Sequence, residues 1–294
     1  IKVFTPTNQY VKAKYAQYNH SLFINPSVLI KDKKNFIQQF LGALYFQSAL
    51  QIQNRSLSLP GFEQYNPFRI KSDSNLLFSN LNLTNTLSLN RFHPKWGIDL
   101  QQVSNTGKVF MNYGIDTRGQ KEYILKYRLN TTHAVSTTLS VKSGERSFYS
   151  SFLENRSYVI RYMQLEPLLN WMTYKNRFRI QLGYRYDDRK NSTVYGNETA
   201  FAHYLLNELR YNLPSAGLIQ MRFTYANIKF RGEPNSGVGY ALLDGLSPGS
   251  NWLWQVSFNR RLSKLVEMSL EYEGRKSGSQ SLIHTGRATV RAVF

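Results

Sequence analysis

Apolar and polar side chains alternate one for one over residues 177–189. Phe178, Ile180, Leu182, Tyr184 and Tyr186 take one parity, and Arg177, Arg179, Gln181, Gly183, Arg185 and Asp187 take the other. Successive side chains of a strand point to opposite faces, so a period of two predicts a strand with one apolar and one charged face.

The rhythm recurs on both sides of that segment. Leu205, Leu209, Tyr211 and Leu213 alternate with Glu208 and Arg210; after the turn residues 214–217, Ile219, Met221, Phe223 and Tyr225 alternate with Gln220, Arg222 and Thr224. This predicts a hairpin. A second hairpin is predicted over residues 252–276, with Trp254, Val256 and Phe258 in phase, a tight connection at 261–264, then Val266, Met268, Leu270 and Tyr272. Its alternates include Gln255, Ser257, Glu267, Glu271 and Glu273. The final stretch, 282–294, sets Ala288, Val290, Ala292 and Phe294 against Arg287, Thr289 and Arg291.

Earlier strands are predicted over 77–91, from Trp96 onward, around Tyr123–Leu129, and around Val135–Val141. Less regular ones are expected at 10–18, 23–31, 40–57 and 158–166. The count comes to about fourteen, or roughly 21 residues per strand and connection, which suits membrane-spanning strands of ~9–11 residues. The fold class expected is all-β: a transmembrane, antiparallel, up-and-down β-barrel of about 14 strands, with residues 1–294 forming one domain.

Alternation alone leaves two orientations open, because a soluble barrel with an apolar interior has the same period. Strand length and charge decide for the membrane. Soluble strands average ~5–6 residues, whereas these run to ten or more with charge along the whole polar face. Apolar residues then face lipid, namely Phe178, Ile180, Leu182, Ile219, Met221, Phe223, Val256, Phe258, Met268, Leu270 and Val290. The polar parity faces a lumen lined by Arg179, Arg185, Glu208, Arg210, Arg222, Glu267, Glu271, Glu273, Arg287 and Arg291.

Connections alternate in predicted length. Short ones fall near 93–94, 130–132, 214–217 and 261–264, and long ones at 58–74, 103–120, 143–156, 187–200 and 231–251. Outer-membrane barrels keep periplasmic turns short and extracellular loops long. Trp96, Trp171 and Phe294 are therefore expected at the periplasmic interface, and Tyr184, Tyr186, Trp252 and Tyr272 at the outer one.

Composition agrees with this placement and removes other classes. The chain of 294 residues is 41% hydrophobic and 14% aromatic, with a mean hydropathy of -0.43. No run approaches the ~18 apolar residues of a membrane-spanning helix. A barrel escapes hydropathy averaging because only alternate residues meet lipid. The net charge of +19 calls for a polyanionic neighbour. The basic residues are dispersed through strands and connections, which points to lipid and lipopolysaccharide rather than nucleic acid.

The chain has no cysteine and five scattered histidines, so neither a thiolate nucleophile nor a metal site is indicated, and no cofactor is expected. A rim hydrolase would draw on Asp187, Asp188 and His203, which end one strand and begin the next, or on His284 with Ser277, Ser279 or Ser281. Two loop-end carboxylates beside an interfacial histidine are more often plain rim polarity. The expectation is a protein that is not an enzyme.

The stretch Leu270-Glu271-Tyr272-Glu273-Gly274-Arg275-Lys276, with Ile283-His284-Thr285-Gly286-Arg287 and Val290-Arg291-Ala292-Val293-Phe294, resembles the end of large cell-envelope proteins of the Bacteroidota. Asn112-Tyr113-Gly114-Ile115-Asp116 and Leu246-Ser247-Pro248-Gly249-Ser250-Asn251 are similar to the same group. The likeness covers short motifs in about the last two thirds of the chain. It implies a C-terminal outer-membrane barrel preceded by a periplasmic region. Two functions follow as expectations: a channel or transporter with an Arg/Glu-lined lumen, or the anchoring barrel of a larger envelope machine for assembly, secretion or surface-protein export.

Overall fold

The computed structural model describes residues 2–4, 10–28, 35–57, 76–111, 114–173, 175, 177–213, 217–263 and 265–292. Strands β1 (Lys2–Phe4) and β2 (Tyr10–Lys12) pair with each other. Thirteen more form one sheet: β3 (Lys14–Ile24), β4 (Leu44–Ser56), β5 (Leu76–Leu89), β6 (Trp96–Met111), β7 (Gly114–Asn130), β8 (Val135–Ser150) and β9 (Tyr158–Met172). Next come β10 (Phe178–Asn191), β11 (Thr199–Leu213), β12 (Gly217–Arg231), β13 (Gly249–Arg261), β14 (Val266–Ser277) and β15 (Ile283–Ala292). Each pairs antiparallel with its neighbours in sequence, giving an up-and-down sheet with β3 and β15 at its edges among the described residues.

Register keeps the two parities apart across the sheet. One rung reads Ile180, Leu209, Met221, Val256 and Tyr272 from β10 to β14. The adjacent rung reads Gln181, Glu208, Arg222, Gln255 and Glu273. A slip of one residue would exchange these rows, so every strand is pinned by its own alternation.

The expected fourteen strands resolve into thirteen in the main sheet plus the β1–β2 pair. Where separate strands were expected at 10–18 and 23–31, β3 is a single strand followed by a 3-10 turn at Pro26–Val28. The start of the 40–57 stretch belongs to helix α1 (Phe36–Ala43), and β4 begins at Leu44. Several long loops are strand instead. Residues 103–111 and 114–120 extend β6 and β7, 143–150 extend β8, and 187–191 extend β10. Backbone pairing continues there although the apolar and polar alternation has lapsed, since a ladder satisfies N–H and C=O groups whatever the side chains do. The turn residues 214–216, the whole 58–74 loop, Asn112, Tyr113, Lys264 and Phe294 lie outside the described residues.

The 231–251 connection is long as expected, and it carries helix α2 (Gly237–Leu243). Ser236 caps it, its hydroxyl accepting from the Gly239 N–H at 2.9 Å, and Asp244 ends it in the left-handed conformation at φ 51°. The helix lies against the polar parity of the sheet. Leu243 packs on Ala202, Tyr204, Ala226 and Ile228, while Val238 and Leu242 pack on Ile160 and Ala200. These residues make the principal buried apolar cluster.

The placement of α2 shows that the sheet curls. In a flat sheet, seven spacings of ~4.8 Å would put β5 about 34 Å from β12. Gly237, six residues past the end of β12, nevertheless shares a cavity with Asn80 of β5. The face bearing α2 is therefore the inside of the curl. The opposite face leaves large apolar side chains uncovered, among them Leu182 at 47% exposure, Met221 at 44% and Val290 at 66%.

Candidate functional site

The inner face carries a wall of charged and amide side chains. Arg179, Arg185, Glu208, Arg210, Arg222, Glu267, Glu271, Glu273, Arg287 and Arg291 all fall on it by register. Glu208 on β11 is held from two strands, by Arg210 at 2.6 Å and Arg222 at 3.2 Å. Arg185 reaches back to Glu166 of β9 at 2.5 Å, and Arg261 binds Glu267 at 2.8 Å. Gln255 donates to Glu271 at 2.6 Å and to Glu273 at 3.1 Å. Arg287 and Arg291 stand opposite Glu271 and Glu267 on the next strand.

The strongest polar junction fastens α2 to this wall. Arg189 forks onto Asp187, with Nη2 donating to Oδ2 at 2.6 Å and Nε to Oδ1 at 3.1 Å. Its Nη1 donates to the Leu242 carbonyl at 2.9 Å, and Nη2 also meets Asp244. Arg146 of β8 approaches Asp244 from the other side at 3.7 Å. Asp187 is 2% exposed, so its charge depends on this one guanidinium. Neither Arg189 nor α2 stood out in the sequence, although Arg189 simply continues the odd-numbered polar parity of residues 177–187.

On the outer face the aromatics gather at two heights. Near the short-turn end, Trp171, Phe178 and Tyr211 form an edge-to-face chain with centroid spacings of 6.0 and 6.3 Å, and Trp96 opens β6 at the same end. Towards the other end, Tyr184, Tyr186 and Phe201 surround His203, Tyr225 lies 4.5 Å from Trp252, and Tyr272 stacks on His284 at 5.9 Å. Between the levels lie Ile180, Leu182, Met221, Phe223, Val256 and Leu270; Ile219, Phe258, Met268 and Val290 continue the same parity towards the short turns. Eight residues separate Phe178 from Tyr186, about 26 Å along a strand.

The hydrolase geometry does not assemble. Asp187 points inward with Ala202 as its cross-strand neighbour, whereas His203 pairs with Tyr186 on the outer face and accepts or donates to the Tyr184 hydroxyl at 2.5 Å. Asp188 faces outward beside Phe201. The strict alternation of the strand puts neighbouring aspartates on opposite sides of the sheet. His284 is likewise outward, bonded to the Tyr272 hydroxyl at 2.7 Å, while Ser277 is buried on the inner parity.

No protein-family model and no curated protein matches this chain. Among solved structures it is similar to the translocator domain of autotransporter NalP from Neisseria meningitidis, at 10% identity and a TM-score of 0.35, covering 96% of this chain and 88% of that one. It is also similar to OmpT, an outer membrane protein of Vibrio cholerae folded in vitro, at 7% identity and a TM-score of 0.37, covering 96% and 94%.

Proposed function

We propose that this chain is a bacterial outer-membrane β-barrel protein forming a channel or transporter, its lumen lined by arginine and glutamate and narrowed by α2. The observation that carries the reading is the two-sidedness of the sheet. Its uncovered outer face holds an apolar belt between two aromatic levels, and its inner face is charged and occupied by an inward-folded connection. An apolar band of ~25 Å flanked by aromatic girdles is what a bilayer selects on an up-and-down barrel. At a tilt of ~40°, the ~26 Å between Phe178 and Tyr186 projects to about 20 Å, close to that thickness.

In this orientation the short turns are periplasmic and α2 hangs from the extracellular side, held against β10 and β11. Arg179, Arg210 and Arg222 then set the electrostatics of the path, with Glu208 neutralising part of it. Lipid and lipopolysaccharide are the neighbours that match the outer belt and the net charge.

A second reading draws on α1 at the short-turn end, which exposes Phe36 at 81%, Ile37 at 69% and Phe40 at 46%. That apolar surface suits a barrel anchoring a larger envelope assembly. Planar-bilayer recording separates the two. Discrete conductance whose ion preference shifts towards cations in Arg179→Glu/Arg222→Glu supports the channel. A silent bilayer with properly inserted protein removes it and leaves the anchor.

A further inference from the structure

Above the apolar belt, where the outer parity of β6 and β7 has turned to Ser104, Thr106 and Lys121, the inner face holds a cavity of about 570 Å³. Its lining contains three arginines, Arg118, Arg146 and Arg156, and no carboxylate. This departs from the wall below, where Arg185, Arg210, Arg222 and Arg261 each hold a glutamate. Arg146 also reaches Asp244 at the end of α2 at 3.7 Å, which leaves Arg118 and Arg156 as the two guanidinium groups that line the cavity with no carboxylate among its lining residues, and each offers a planar fork suited to carboxylate or phosphate.

Two further features describe the rest of the ligand. Phe148 and Tyr158 lie side by side with centroids 5.8 Å apart, and the Arg118 guanidinium sits 5.6 Å above the Phe148 ring. This gives an aromatic platform next to the positive charge. Across from it, Asn80 and Asn105 present amides that both donate and accept. Aromatic faces pack against the C–H face of a sugar ring, amides serve its hydroxyls, and the arginines take an acidic substituent. The volume lies within the ~300–1,000 Å³ typical of small-molecule sites.

We infer that this cavity binds a small anionic sugar, one carrying a carboxylate or phosphate, at the extracellular mouth of the barrel. The inference rests on the reading of the inner face as a solute-filled lumen. Binding in detergent micelles needs no conduction, so a silent bilayer with intact binding would remove the channel and keep the site.

The test is calorimetric titration of the folded protein in micelles with glucuronate, glucose 6-phosphate, glucose and acetate. Glucuronate and glucose 6-phosphate should bind, with glucose and acetate at least about tenfold weaker, because each lacks one half of the recognition. Arg118→Glu should lower affinity for both acidic sugars by more than about tenfold, and the milder Arg156→Gln by several-fold. Phe148→Ala should bring glucuronate down to the level of acetate. Lys190→Glu, the same type of charge change on the outer face, should leave binding as it was. Glucose binding as tightly as glucuronate overturns the proposal. So does affinity unchanged in both arginine variants, or the absence of binding by either acidic sugar to the folded parent.

Discussion

Replacing Arg189 by alanine should release α2 from the wall. The substitution strips the partner from Asp187, which is 2% exposed, and an uncompensated buried charge of this kind costs about 3–5 kcal/mol. The Leu242 carbonyl also loses a charged donor at 2.9 Å, worth about 1.5–3 kcal/mol. Asp244 is 43% exposed, so solvent screening leaves its share at no more than ~1 kcal/mol. What opposes release is the burial of Val238, Leu242 and Leu243, roughly 1.5–3 kcal/mol each before the ordering of the connection is subtracted.

Undocking admits water to Asp187 and relieves the penalty, so most of the 3–5 kcal/mol falls on the docking equilibrium. That raises the undocked population by about two to three orders of magnitude. Hydrogen exchange reads it directly through the α2 amides, such as the Tyr240 N–H bonded to the Ser236 carbonyl at 2.9 Å. Their exchange should accelerate by at least ~100-fold while β10 and β11 amides hold their protection. Arg189→Lys, which keeps the charge and loses the fork, should fall between. Exchange of α2 within about threefold of the parent would refute the reasoning.

Three other perturbations test the architecture. Leu182→Arg on the outer face should destabilise insertion into lipid vesicles by about 2–4 kcal/mol, and Gln181→Arg, one residue away on the inner face, by less than ~1 kcal/mol; equal costs in an equilibrium folding titration would contradict the assigned faces. Ala226→Leu, at a position with no exposure beneath Leu243, should overpack the contact by about 1–3 kcal/mol and speed α2 exchange; an unchanged exchange pattern would mean the contact has slack. Gly274→Val places a Cβ in the space the Trp254 ring now occupies, so indole fluorescence should shift as the ring is displaced, and a parental spectrum would show that it does not rest there.

The strands were legible because their environment changes with every residue. From 178 to 186 each even position is apolar and each odd one is not, and no helix fits that period. Above the belt the signal disappears: Ser104, Asn105, Thr106, Gly107 and Lys108 are small or polar on both faces, so the strand continues there without a pattern to announce it. The same loss of contrast hid the full lengths of β8 and β10. Helix α2 was illegible for another reason, since Gly237 and Gly239 are poor helix formers and its stability comes from tertiary contact with β10, β11 and Arg189. The inner-wall arginines and glutamates could be named from parity. The cavity on β5 to β9 could not, because Arg118 and Arg146 become neighbours only through the β7–β8 register, and Gly237 joins Asn80 only when the sheet curls.

Strand length is also distributed unevenly around the curl. The two edge strands, β3 and β15, have 11 and 10 residues, and β6, β7 and β8 on the far side have 16, 17 and 16. Register levels the strands at the short-turn end, where Ile24 pairs with Phe46 and Ala292 with Val266, so the difference appears at the opposite end. Seven extra residues add about 23 Å along a strand, or some 18 Å of height at a ~40° tilt. The ladder therefore ends in a slope, with a low lip at β3 and β15 and a tall back wall that bears the arginine cavity. Gly237 at the start of α2 borders that same cavity, so the tall wall and the inward-folded helix enclose one space from two sides, and the low lip leaves that space open on the third.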